Sequence, residues 1–120
     1  MNEVILAVDD SPTDLKIITK ALQSQGYRVL TAVDGEEAIE KAMRDKPQLV
    51  VLDIILPKKN GFQVCRQLKT TPETQDMKIV LLSSKSQDSD RFWGLKQGAD
   101  AYLTKPFEDQ QLLSAVAAAL

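Results

Sequence analysis

Three carboxylates stand where apolar runs end. Asp9 and Asp10 directly follow Val4-Ile5-Leu6-Ala7-Val8, and Asp53 directly follows Leu49-Val50-Val51-Leu52. An ionised group in such a setting needs a partner, and like charges gathered in a partly buried crevice push one another's pKa upward unless a cation compensates. A hard divalent ion meets that need. Magnesium takes oxygen ligands in octahedral geometry, keeps several waters and often shares its site with phosphate oxygens. On this chemistry Asp10 and Asp53 are the expected direct ligands, with Asp9 beside them or acting through a water. The plainer alternative for Asp9 and Asp10 is helix capping, because acidic residues are favoured at helix starts. It is weaker for Asp53, which four apolar residues precede and Ile54-Ile55-Leu56 follow.

Two more polar groups end apolar runs. Ser83-Ser84 follows Ile79-Val80-Leu81-Leu82, and Thr104-Lys105-Pro106 follows Ala101-Tyr102-Leu103. Ser83 can donate to a bound oxyanion, and Lys105 adds a positive charge at the same rim. Either residue alone reads as ordinary surface; their weight lies in coinciding with the three acids. Pro106 restricts the turn, and the sequence leaves the isomer of its peptide bond open.

The composition narrows the chemistry. The chain has 120 residues, no histidine, one cysteine, 43% apolar side chains and a net charge of -2. Catalysis by imidazole is excluded, and the lone Cys65 permits neither an internal disulfide nor a multi-thiolate zinc site. The charge balance provides no strong field for nucleic acid or an anionic membrane. No apolar run approaches the roughly 20 residues that span a bilayer. Met1-Asn2-Glu3 does not begin a secretory signal, so a cytoplasmic location without membrane attachment is expected.

Five strands must position these groups. Three apolar runs read as central strands covered on both faces, while Tyr27 to Ala32 and Ala101-Tyr102-Leu103 read as edges. Between them helical stripes recur: Leu15, Ile18 and Leu22; Ala38, Ile39, Ala42 and Met43; Val64 and Leu68; Phe92, Leu95 and Ala99; Leu112, Val116 and Leu120. Ser11 with Pro12 marks one helix start, Asp34 followed by Gly35-Glu36-Glu37 another, and Gly26 and Gly98 mark helix ends. Strict alternation predicts one α/β domain over residues 1–120: a doubly wound, flavodoxin-like parallel sheet of five strands in order 2-1-3-4-5 with five helices. Its site belongs outside the carboxyl ends of strands 1 and 3, where the winding reverses.

Asp9-Asp10, Asp53, Pro57, Gly61, Ser83, Tyr102 and Lys105-Pro106, in this order and spacing, resemble a response-regulator receiver domain of the single-domain chemotaxis type. The segment Asp90 to Ala99 is similar to regulators of pilus-based motility. The resemblance implies phosphoryl transfer from a phosphohistidine of a sensor histidine kinase to Asp53. It implies Mg2+ held by Asp9, Asp10, Asp53 and the backbone carbonyl of Ile55, with Lys105 and Ser83 on the phosphoryl oxygens. It also implies a switch in which Ser83 moves toward the phosphate and Tyr102 turns inward. That switch would alter the face of helix 4, strand 5 and helix 5 toward a downstream protein target. Such a chain is a signalling phosphoacceptor that assists its own phosphorylation and dephosphorylation, not an enzyme with turnover. Lacking histidine, it must take its phosphoryl group from another molecule.

Several side chains are read individually. Ile55 is expected to hinder water and Lys85 to tune phosphate access, giving slow self-hydrolysis. Phe92 is assigned to the buried stripe, Trp93 to the outside as a partner anchor. Cys65 is expected to pack as a small apolar residue, and Lys58-Lys59 to be a solvated pair near the crevice. Three rivals remain. A flavin-binding module would find its phosphate repelled by Asp9-Asp10. A phosphatase with an Asp nucleophile would carry a second acid where Ser11 stands. An interaction module that is never phosphorylated would have no use for the full polar set.

Overall fold

The computed structural model describes residues 3–84 and 88–120, apart from the side chains of 88–90. The elements run β1 (Val4–Val8), α1 (Pro12–Gln23), β2 (Arg28–Ala32), α2 (Gly35–Asp45), β3 (Leu49–Asp53), α3 (Gly61–Thr70), β4 (Lys78–Ser83), α4 (Asp88–Lys96), β5 (Ala101–Thr104) and α5 (Asp109–Ala119). All strand pairings are parallel, in the order β2-β1-β3-β4-β5. Among the described residues no helix is long and apolar enough to cross a membrane.

Alternation along each strand divides the core in two, since successive side chains point to opposite faces. Leu6, Val8, Val50, Leu52, Ile79 and Leu81 pack with Ala38 and Ala42 of α2 and with Val64, Cys65 and Leu68 of α3. Ile5, Ala7, Leu49, Val51, Val80 and Leu82 pack with Ile18 and Leu22 of α1 and with Leu112 and Val116 of α5. Each of the large side chains is worth roughly 1.5–3 kcal/mol on burial. That two-sided enclosure is why the three central strands carry almost no polar residue before their last position.

The helix starts expected at Ser11 and Asp34 are capped as the sequence indicates, and a third cap, at Asn60, is added by the structure. Ser11 accepts from the Asp14 amide, Asp34 from the Glu37 amide, and Asn60 and Gln63 form a reciprocal capping box on α3. Gly26 and Gly98 hold positive φ just past the ends of α1 and α4, where a Cβ would be strained. Cys65 is buried, and burial pushes its thiol up to about 12. A thiol so placed packs as an apolar group.

Helix α4 departs from the expectation. Phe92 is 61% exposed, and Trp93 and Leu95 are exposed beside it. The inward position of α4 belongs instead to Gly94, where an added Cβ would lie 2.9 Å from Cδ2 of Tyr102 and 3.0 Å from Cδ1 of Leu81. The helix therefore approaches the sheet through a residue without a side chain, and the ring two residues earlier is carried round to the outside. Leu120 of the α5 stripe is likewise exposed.

The turn after β3 leaves no room for a side chain on Gly61. Gly61 donates its amide to the Ile54 carbonyl at 2.7 Å, and a Cβ there would meet the Asp53 carbonyl oxygen at 2.5 Å and Ile54 Cα at 2.6 Å. Both obstacles are backbone and cannot swing aside. Gly61→Ala is expected to cost about 2 kcal/mol as an overpacking change, read as a lowered midpoint in chemical denaturation; an unchanged midpoint would contradict this packing.

Candidate functional site

Strand ends bring the acids together. Asp9 follows β1, its amide bonding the Ala32 carbonyl of β2 at 3.2 Å, and Asp53 is the last residue of β3. One carboxylate oxygen from each of Asp9, Asp10 and Asp53 lies within 4.8 Å of the others. Asp9 is only 1% exposed, Asp53 is buried and Asp10 is open to solvent. The cluster is thus a shallow well with two acids in its wall and one at its lip.

Lys105 enters from the loop after β5. Its amide bonds the Ser83 carbonyl at 2.7 Å, and the Lys105–Pro106 peptide is cis. The ammonium donates to Asp9 Oδ2 at 2.8 Å, Asp53 Oδ2 at 2.8 Å and Asp14 Oδ2 at 3.0 Å. All three of its N–H groups are used. The other oxygens of the buried acids are held by backbone: Ser11 N–H donates to Asp9 Oδ1 at 2.9 Å and Ile55 N–H to Asp53 Oδ1 at 3.0 Å.

Burial pushes the Asp53 carboxyl above the ordinary carboxylate range, outweighing the Lys105 ammonium and Ile55 amide that favour its ionised form; Asp9 adds to the rise. Burial also opposes the charge on Lys105, but its bonds to Asp53, Asp9 and Asp14 win and hold the ammonium above the usual lysine range. Among the described residues one positive charge therefore faces four acids, Asp9, Asp10, Asp14 and Asp53. The residues fit a divalent cation on that count: three hard oxygen donors converge, one is solvent-facing, and the local charge deficit is what such an ion corrects.

Most residues named from the sequence meet at this end of the sheet. Ser83 ends β4 fully buried, paired with Thr104 of β5. Ile55 is 55% exposed beside Asp53. Tyr102 lies on β5 and is 6% exposed, with the Arg91 guanidinium 5.4 Å above its ring and Arg91 Nη1 donating to its carbonyl at 3.3 Å. Lys85 lies outside the described residues. Lys58, at φ 69°, leans toward Asp34 and Glu36 at 3.7 and 3.9 Å, and Lys59 donates to Gln67, so neither points its charge at the three acids. Ser11, where a phosphatase would carry its second acid, caps α1.

Asp14 is the residue that sequence reasoning missed. In the first turn of α1 an acid reads as a helix-dipole partner, and that reading hides its bond to Lys105. No local signal marks it, because an acid in a first turn serves its own helix.

Comparison with known proteins gives a consistent result. Residues 5–117 match the family model described as response regulator receiver domain. The chain is 41% identical to protein PilH of Pseudomonas aeruginosa over 116 residues, covering 97% of this chain and 96% of PilH. It is 42% identical over 120 residues to the alkaline phosphatase synthesis transcriptional regulatory protein PhoP of Bacillus subtilis, of which it spans 49%. Among solved structures, the receiver domain of the sensor histidine kinase PA1611 from Pseudomonas aeruginosa, with a magnesium ion coordinated in its active site cleft, superposes with a TM-score of 0.91 at 28% identity, covering 99% of this chain and 98% of that one.

Proposed function

The chain belongs to the response regulator receiver domain family, and from that premise we propose that Asp53 is its phosphoacceptor, taking a phosphoryl group from the phosphohistidine of a sensor histidine kinase. The observation that carries this reading is the ammonium of Lys105 held 2.8 Å from Asp53 beside a three-acid well. Phosphoryl transfer asks chiefly for alignment and charge stabilisation, and a carboxylate is an established covalent nucleophile.

Asp9, Asp10, Asp53 and the Ile55 carbonyl would hold Mg2+, which supplies charge neutralisation for the transferred group. Lys105 directs its charge at the incoming phosphoryl oxygens, and Ser83 offers a hydroxyl from the neighbouring strand end. The buried wall made by Asp9 and Asp53 keeps the acceptor's approach to one side. Residues 1–120 act as one receiver unit in the cytoplasm, assisting their own phosphorylation and dephosphorylation.

The signal passes through Ser83 and Tyr102 to the face of α4, β5 and α5. Support comes from the exposed Phe92, Trp93 and Leu95, with Lys96 5.5 Å and 6.0 Å above the two aromatic rings. A rigid indole beside a cation suits a protein target. Intact-mass measurement after incubation with acetyl phosphate, with and without Mg2+, tests the reading: one added phosphoryl group that requires the metal supports it, and no gain refutes it.

Ile55 bears on how long the phosphate lasts. An exposed branched alkyl group beside the acceptor obstructs a water lining up with phosphorus, so Ile55→Asn is expected to shorten the aspartyl-phosphate half-life about tenfold, or ~1.4 kcal/mol. Loss of labelled phosphate over time measures it; an unaltered half-life would remove Ile55 from the account.

A further inference from the structure

Asp14 occupies a place that the metal and the acceptor leave over. It lies outside the well of Asp9, Asp10 and Asp53, yet it holds the third N–H of Lys105. Its side chain is 43% exposed, against 1% for Asp9. It also borders a groove of about 290 Å³ lined by Ile17, Ser84, Pro106 and Phe107 next to Lys105. Because Asp14 and Asp53 both bond one nitrogen, at 3.0 and 2.8 Å, their bonded oxygens are less than about 6 Å apart. We propose that Asp14 is a specificity-determining residue whose negative charge, set beside Lys105 at the mouth of the crevice, disfavours free dianionic phosphoryl donors relative to less charged ones.

The argument rests on the reading of Asp53 as the phosphoacceptor. Lys105 is already positioned by Asp9, which backbone and burial fix, so Asp14 adds little to the placement of the ammonium. What it adds is charge. A unit negative charge at that distance opposes an approaching dianion about twice as strongly as a monoanion. Being half in water, it does so in a way that salt screens. A donor already seated by protein contacts does not depend on long-range approach, so the penalty falls on small free donors.

Two donors separate the effect from a general loosening. Acetyl phosphate is a dianion; its P–O bond to acetate breaks as a P–O bond to Asp53 forms, and acetate departs. Phosphoramidate is a zwitterionic monoanion; its P–N bond breaks and ammonia departs with its proton already in place. With Asp14→Asn, uptake from acetyl phosphate is expected to rise about tenfold at low salt and uptake from phosphoramidate less than about threefold, both gains fading as salt is raised. Mg2+ binding to the unphosphorylated variant, read by calorimetry, is expected to weaken about twofold, since the same lost charge helps a cation. Asp14→Glu is expected to keep the parent's values. Opposite signs for anion uptake and cation affinity distinguish charge from structure. Equal gains with both donors, no gain, or a joint fall in uptake and Mg2+ affinity would overturn the proposal while leaving Asp53 as the acceptor. A parent chain that accepts no phosphoryl group at Asp53 from either donor would overturn both.

Discussion

Asp53→Asn is expected to abolish phosphoryl uptake. After incubation with acetyl phosphate and Mg2+, the parent should gain one phosphoryl mass and the variant none. The amide keeps the shape of the side chain and an oxygen for the Ile55 amide, but it lacks the anionic oxygen that attacks phosphorus. The neighbouring acids do not substitute. Asp9 has one oxygen on the Ser11 amide and the other on Lys105, and Asp10 stands at the exposed lip without that ammonium among its partners. The same variant should bind Mg2+ less tightly, because a neutral amide replaces a hard anionic ligand. A full phosphoryl gain in the variant would place the acceptor elsewhere.

The second large effect belongs to Lys105. Lys105→Met keeps much of the aliphatic stem and removes the ammonium, and uptake by Asp53 is expected to slow about 100-fold, the scale for losing one preorganised donor to a developing anion. A stability change should accompany it. Removing one partner from a largely buried ion cluster leaves charge uncompensated, here at about 2 kcal/mol, less than for a fully buried pair because the lysine retains some solvent access.

The sign with pH follows from the two shifts. The lysine's pKa is raised, so its stabilisation is present at neutral pH and is lost only as pH climbs through that raised value. The Asp53 pKa is also raised, so acidification protonates it early and relieves the crowding. The variant's deficit in metal-free buffer should therefore shrink as pH falls toward the carboxylate range, and it should shrink at neutral pH when Mg2+ is added. Thermal midpoints across pH, with and without the metal, measure this. An uptake rate equal to the parent's would remove Lys105 from the site.

The fold and the well were legible in the sequence for the same reason. Central strands enclosed on both faces must be apolar throughout, so a carboxylate at the end of Val4 to Val8 or Leu49 to Leu52 announces both the end of the strand and a demand for compensation. Ser11 and Asp34 are local signals, and local signals survive without tertiary knowledge. Phe92 and Asp14 are where that reading stops. Apolar spacing along α4 cannot tell which face approaches the sheet when the approach is made by Gly94, whose mark is a missing side chain. Asp14 suits its helix so well as a first-turn acid that nothing local betrays a partner 91 residues away.

The bond from Lys105 to Asp9 joins residues 96 apart in the chain. Every strand but β2 contributes a group at this end of the sheet, and the cation arrives with the last of them. A chain that has laid down only β1 to β4 already owns the acids but lacks the ammonium that bonds three of them. On the proposed role of Asp53, fast phosphoryl uptake thus waits on the fifth strand being in place.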